Sequence, residues 1–362
     1  MLQKYASFVV NNAAQVNSIE NGLRTLTYVL PGRFADAELA SEAIYTLLSF
    51  VGVYHDKLLA QAAASGLLVD KQGQPLKLDP TPFNRYHGQM AHTSDVYRVS
   101  ALALSAVQYA EKLIEMVAAK RLGDSRRWQV VTWIEITKIV LRLALLKASG
   151  QRMVTGAVVP EREVDPGALG SAGRRAEPEP VALDTGAQWK GGRSRLSFTS
   201  VREILQQAEG NADLGAFVAN SPQNAERVAP VSALMHRLSA LGLTGELLFI
   251  LRPLVYVLGM RKLGANNWRA WALSLLMELV SRQMLSTELR VPRTLERDEM
   301  ARRKWLFVYY LLRAPFFGRF TEERLTRAAM WCSNKPVISL LGSLIQDYQP
   351  LWKQYYFYTA GS

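Results

Sequence analysis

The chain has 362 residues, 49% of them AVILMFWYC and 20% charged, a load that supports a buried core and excludes a wholly disordered polymer. A single cysteine, Cys332, excludes an intrachain disulfide framework and any multi-cysteine metal site. The formal charge of +12 and a pI near 9.8 point to acidic partners, nucleic acid or an anionic membrane surface, without choosing between them.

Met1 to Tyr5 leads into polar sequence (Asn11, Asn12, Gln15, Asn17), not into the apolar h-region of a secretory signal. Residues 1–149 read as helical throughout. Val16, Ile19, Leu23, Leu26 and Leu30 recur at spacings of three and four, on one helix face. Pro31-Gly32 breaks that helix, and Asp36 is placed to cap the next one, with Glu38 against its positive end. Leu39, Ala43, Leu47, Val51, Tyr54 and Leu58 then define the expected core face. Gly73, Pro75, Pro80, Pro82 and Gly88 predict a loop over 70–92. Helix resumes over 95–122 and, after a Gly-Asp-Ser break, over 126–149.

Residues 150–230 hold most of the remaining glycines and prolines and read as a flexible linker or insertion, with a short helical fragment at 201–208. Helical pattern returns over 231–362, at 238–260, 268–289, 298–313, 322–330 and 337–346. No sustained period-two alternation appears anywhere. The expectation is an all-α protein: two helical halves, 1–149 and 231–362, forming a membrane-associated bundle joined by a flexible linker. Eighteen basic against nine acidic residues put most of the positive charge on the second half.

Catalysis and metal binding find no constellation. His87, His92 and Asp95 suggest a two-histidine, one-carboxylate set, but they sit in the expected loop without a helical frame. Cys332 lacks a nearby histidine, and no phosphate-cradling glycine loop or nucleophile elbow is present. No cofactor is expected.

The basic clusters Lys120-Arg121, Arg126-Arg127 and Arg302-Arg303-Lys304 flank Trp128 and Trp305, a placement that suits helix ends at an anionic membrane surface. A soluble basic scaffold or nucleic-acid-binding protein is the competing class. Residues 128–146 are long enough to cross roughly 30 Å of hydrocarbon. The charges there, Glu135, Lys138 and Arg142, fall on one stripe, where Glu135 and Lys138 can pair. Such a stripe belongs either to a bundle-facing membrane helix or to an ordinary amphipathic one. Residues 238–260 behave likewise, carrying only Glu246 and Arg252, with Pro253 inside.

At Tyr28-Val-Leu-Pro-Gly-Arg-Phe-Ala-Asp36 the chain resembles the Gly-Arg-Phe-Ala-Asp motif of the peroxin-16 family of peroxisomal membrane proteins, through Gly32, Arg33, Phe34 and Asp36. Agreement recurs at Arg127-Trp128 with Lys138-Ile-Val-Leu-Arg142. It recurs again at Tyr309-Tyr-Leu-Leu-Arg-Ala-Pro-Phe-Phe-Gly-Arg-Phe-Thr-Glu322, through Tyr310, Arg313, Pro315, Phe316, Arg319 and Phe320. The ending Asp347-Tyr-Gln-Pro-Leu-Trp-Lys-Gln-Tyr-Tyr-Phe-Tyr358, with Trp352 and Tyr356, is similar to the family's close. The resemblance implies a non-enzymatic role in peroxisome biogenesis. It places the chain in peroxisomal membrane lipid, and in some organisms the endoplasmic reticulum. There it would recruit peroxin-3, the docking factor for the receptor peroxin-19, with no nucleic acid involved. It also implies spans near 128–148 and 244–263; some fungal members are instead peripheral proteins that restrain division. The motif residues are read as structural, Asp36 as a cap and Arg313 as a helix-end cation, with a partner surface elsewhere or overlapping.

Overall fold

The computed structural model describes residues 2–30, 36–65, 68, 80–164, 166, 169, 189–190, 197–198, 234–264, 266–333 and 339–351. The first half comprises α1 (Leu2–Asn11), α2 (Ala13–Val29), α3 (Ala37–Ala64), α4 (Pro82–Thr93), α5 (Asp95–Leu122) and α6 (Asp124–Ala148). The second comprises α7 (Ala240–Leu263), α8 (Trp268–Glu288), α9 (Thr294–Leu306), α10 (Tyr309–Leu312), a π-helical turn at Phe317–Thr321, α11 (Glu322–Ser333) and α12 (Ser339–Leu351). Strand pairing is marginal: a two-residue antiparallel pair joins β1 (Trp189–Lys190) to β2 (Ser197–Phe198). The chain is all-α.

Local chemistry accounts for the boundaries. Ser94 closes the start of α5 by accepting from the Tyr97 amide at 3.2 Å, and Asn267 does the same for α8 from the Arg269 amide at 2.9 Å. Gly123, with φ of +78°, makes the sharp turn between α5 and α6 that a side chain would resist. The loop expected over 70–92 is corrected in its second half. Thr81 accepts from the Asn84 amide at 3.2 Å, and Pro82 occupies the first helical position, where its missing N–H costs nothing. The helix expected over 298–313 is divided into α9 and α10 by a turn at Phe307 and Val308.

Asp36 does stand before α3, but its side chain makes no cap bond; its carboxylate pairs with Lys120 at the end of α5. The expected core face of α3 is also corrected. Leu47 is 64% and Tyr54 39% exposed, while Ser41, Ser49 and His55 are buried. Ser41 Oγ donates to the Thr27 carbonyl at 2.5 Å, and His55 bridges Glu20 of α2 at 2.5 Å and the Tyr5 hydroxyl of α1 at 2.6 Å. Periodicity tells which residues share a face, not which face turns inward.

The two halves share a core. Leu104 and Tyr97 of α5 and Ile139 and Leu145 of α6 pack with Ile250 of α7; further along, Val131 packs with Tyr256 and Val257. Residues 151–164, from the segment read as linker, run through this junction with Met153, Val154 and Val158 buried, and end with Val164 packed on α3. Arg162 there bonds Asn17 at 2.8 Å and pairs with Asp56, tying the segment to α2 and α3. The fragment expected at 201–208 lies outside the described residues.

Candidate functional site

The stripe on α6 is buried. Lys138, 1% exposed, places Nζ 2.8 Å from Glu135 on its own helix and 2.8 Å from Glu111 on α5. One turn-pair away, Arg127 donates to Glu115 of α5 from Nε at 3.1 Å and from Nη2 at 2.7 Å. Arg142 is buried on the same face, with Glu135 the carboxylate that most favours its charge. The predicted Glu135–Lys138 pair is therefore formed. Glu111 and Glu115 are partners that the pattern of α6 does not disclose; their signal is a spacing of four on α5.

The second half repeats the arrangement. Glu246 of α7, fully buried, accepts from Nη1 and Nη2 of Arg303 at 2.8 Å each, a bidentate pair. It also accepts from the Val154 amide at 3.1 Å, while Arg303 donates to the Val154 carbonyl at 2.8 Å. Glu299, one turn before Arg303 on α9, holds Arg303 at 2.8 Å and Arg302 at 2.7 Å. Burial alone would raise the Glu299 carboxyl's affinity for a proton, but these two arginines overcome it and the pKa is lowered. Arg252 of α7 pairs with Glu278 of α8, which also takes Arg282 at 2.7 Å. Dry charges are tolerated only when paired, and here Lys138, Arg127, Arg303 and Arg252 each meet a carboxylate.

The exterior is the reverse. On α6 between Arg126 and Lys147 the exposed positions are Gln129, Trp133, Thr137 and Val140, none charged. On α8 between Arg269 and Arg290 they include Leu273, Leu276 and Leu279, and again no charge. A soluble amphipathic helix has the opposite distribution; polar residues inside and apolar residues outside suit hydrocarbon. By length and composition one described helix, α7, reads as apolar enough to cross a membrane, since the paired charges of the others lower their average.

The C-terminal motif buttresses this bundle. Tyr310 is buried, its hydroxyl 3.0 Å from Ser274 of α8, and its carbonyl accepts from the Trp271 indole at 3.1 Å. Arg313 is buried with its guanidinium over Tyr310 at 4.5 Å and over Tyr256 at 5.0 Å. The residue stands at the C-cap of α10 as a buried, packed cation. Pro315 is buried, and the preceding carbonyl, of Ala314, accepts from the Tyr256 hydroxyl at 3.0 Å. Phe316 stacks on Trp271 at 5.7 Å and meets Phe320 at 5.0 Å; Phe320 and Arg319 are exposed. Gly32, Arg33, Phe34, Trp352 and Tyr356 lie outside the described residues.

The two loop histidines are not brought together. His87 is buried on α4, bonded to the Tyr97 hydroxyl at 2.6 Å and to Thr155 Oγ1 at 3.0 Å, and burial lowers its pKa to about 4. His92 is exposed. Among the described residues no group of three or more His, Cys, Asp or Glu side chains could hold a metal ion. The arrangement supports anchoring and surface recognition.

Comparison with known proteins points the same way. A family model described as "Peroxisomal membrane protein (Pex16)" matches residues 3–354. The chain is 25% identical over 390 aligned positions to "Peroxisome biogenesis protein 16" of Arabidopsis thaliana, covering all of both chains. It is 22% identical over 338 positions to "Peroxisomal membrane protein PEX16" of Schizosaccharomyces pombe, covering 89% of this chain and 88% of that one. It is also 32% identical over 124 positions to "Peroxisome biogenesis factor 16" of Dictyostelium discoideum, covering 33% of this chain and 31% of that one. No solved structure matches significantly.

Proposed function

Because this chain belongs to the Pex16 family of peroxisomal membrane proteins, and is a peroxisome biogenesis factor by that membership, we propose that it works as a membrane-anchored assembly platform. It recruits peroxin-3 to the peroxisomal membrane, and through peroxin-3 the receptor peroxin-19 with its cargo of membrane proteins. The observation that carries this reading is the inverted bundle: Glu135, Lys138, Glu246 and Glu278 buried under an exterior of Val140, Leu276 and Leu279. A body built that way is held by lipid and acts through what it displays at the lipid boundary.

The test is to remove the protein from cells and follow tagged peroxin-3. Loss of peroxin-3 from organelle membranes, with membrane cargo left in the cytosol and degraded, is the expected result. Retention of peroxin-3 on organelles that change only in number and size would overturn recruitment and favour control of division.

A further inference from the structure

We propose that the hydrocarbon layer covers α3, α5 and α8 as well as the two spans near 128–148 and 244–263, so that five helices share one lipid-facing belt. The inference rests on the membrane-anchored reading and deepens it. On α5, between Arg98 and Lys120, the exposed positions are Val99, Leu102, Ile114 and Val117; its acids Glu111 and Glu115 turn inward to Lys138 and Arg127. That charge-free outer face runs about 30 Å at the helical rise, the thickness of a hydrocarbon core. On α3, between Asp36 and Lys57, the exposed positions are Leu47, Phe50 and Tyr54.

The register makes these faces one surface. Thr46 of α3 donates to the Tyr109 carbonyl of α5 at 3.1 Å, Lys138 of α6 meets Glu111 of α5, and Ser281 of α8 donates to the Gly245 carbonyl of α7 at 2.7 Å. The helices are thus antiparallel neighbours at matched height. Charge reappears at both rims: Lys120, Arg126 and Arg261 at one end, Arg98, Lys147 and Arg290 at the other, all exposed. Basic rims complement anionic headgroups, and the band between them complements acyl chains. A protein partner of ordinary polarity would meet the same uncharged face around several helices at once, which is the geometry of a solvent and not of a docking patch. Hydropathy averages hide α3 and α5 because they count the inward polar residues with the outward apolar ones.

The test places single cysteines in a Cys332→Ser background at Leu47, Ile114, Val140 and Leu276, with Lys57 and Arg121 as rim controls. Each full-length variant is put into nanodiscs of phosphatidylcholine and phosphatidylinositol, which leave both rims open, and labelled with a charged maleimide. Circular dichroism verifies the fold, and Phe50 and Val117 replace any position whose variant misfolds. We expect Leu47→Cys and Ile114→Cys to react at least about tenfold more slowly than the rim positions, matching Val140→Cys, because hydrocarbon excludes a charged reagent. Rim-like labelling at 47 and 114 with protection at 140 and 276 would overturn the five-helix belt while leaving the anchor. Rim-like labelling everywhere would overturn both.

Discussion

Lys138 sits 2.8 Å from each of two carboxylates, so it is the hub of its cluster, and the acids are its spokes. Lys138→Met keeps the volume but takes from Glu111 and Glu135 the cation they share at 2.8 Å; the expected loss is about 3–5 kcal/mol of stability. Glu135→Gln removes one spoke while Glu111 still neutralises Lys138, so its loss should be clearly smaller. Denaturant unfolding in detergent orders the two variants, and equal losses would contradict the hub assignment. His87 supplies a pH dependence of known sign. Its folded pKa, about 4, lies below the ordinary histidine value near 6.5, so between those limits the unfolded chain binds the extra proton. The stabilisation is complete above pH 6.5 and is lost as pH falls towards 4, by about 3 kcal/mol in total. His87→Gln should flatten that window when unfolding midpoints at pH 7 and 4.5 are compared.

At the scale of elements, small residues set how closely helices approach. A Cβ on Gly342 of α12 would stand 2.7 Å from the Ala329 carbonyl and 2.8 Å from the Ser333 amide, both backbone atoms of α11. Neither can step aside, so Gly342→Ala should undock α12, at a cost of about 1–3 kcal/mol to that pair. The 2.9 Å bond from the Tyr348 hydroxyl to the Tyr28 carbonyl would go with it. Limited proteolysis should then cut α12 while the bundle stays intact; unchanged resistance would refute the close-packing account. The helices themselves were legible from period: 238–260 and 268–289 fall within a few residues of α7 and α8, and Glu135 with Lys138 was readable as a pair. The partners Glu111 and Glu115 were not, because spacing along α6 carries no information about which helix lies opposite. Helix α4 is hidden because Pro82 reads as a breaker, although it sits at the one helical position that welcomes it. The face of α3 was inverted for a deeper reason. Assigning Leu47 and Tyr54 to the core assumes water outside, and that assumption fails where the surroundings are apolar.

For the whole molecule the sign of the solvent is therefore the quantity to measure, and substitutions on the exterior read it more directly than changes to the interior pairs. Interior pairs are costly to break in water and lipid alike. Leu276 lies near mid-height of α8, 57% exposed and flanked by Leu273 and Leu279, so a lysine there cannot reach either rim as easily as one placed at the ends. In hydrocarbon Leu276→Lys should cost roughly 2.5–3.5 kcal/mol, whereas a solvated exterior accepts such a change within about 0.5 kcal/mol. Ser286→Lys, exposed towards the rim of the same helix, should be tolerated in both cases and serves as the matched control. The steady-state amount and the carbonate-resistant fraction of each variant in organelle membranes provide the readout. We expect Leu276→Lys to fall well below wild type on both measures while Ser286→Lys does not. If Leu276→Lys matched wild type in amount and in resistance, this face of α8 would be solvated, and the inverted interior would need an explanation other than lipid.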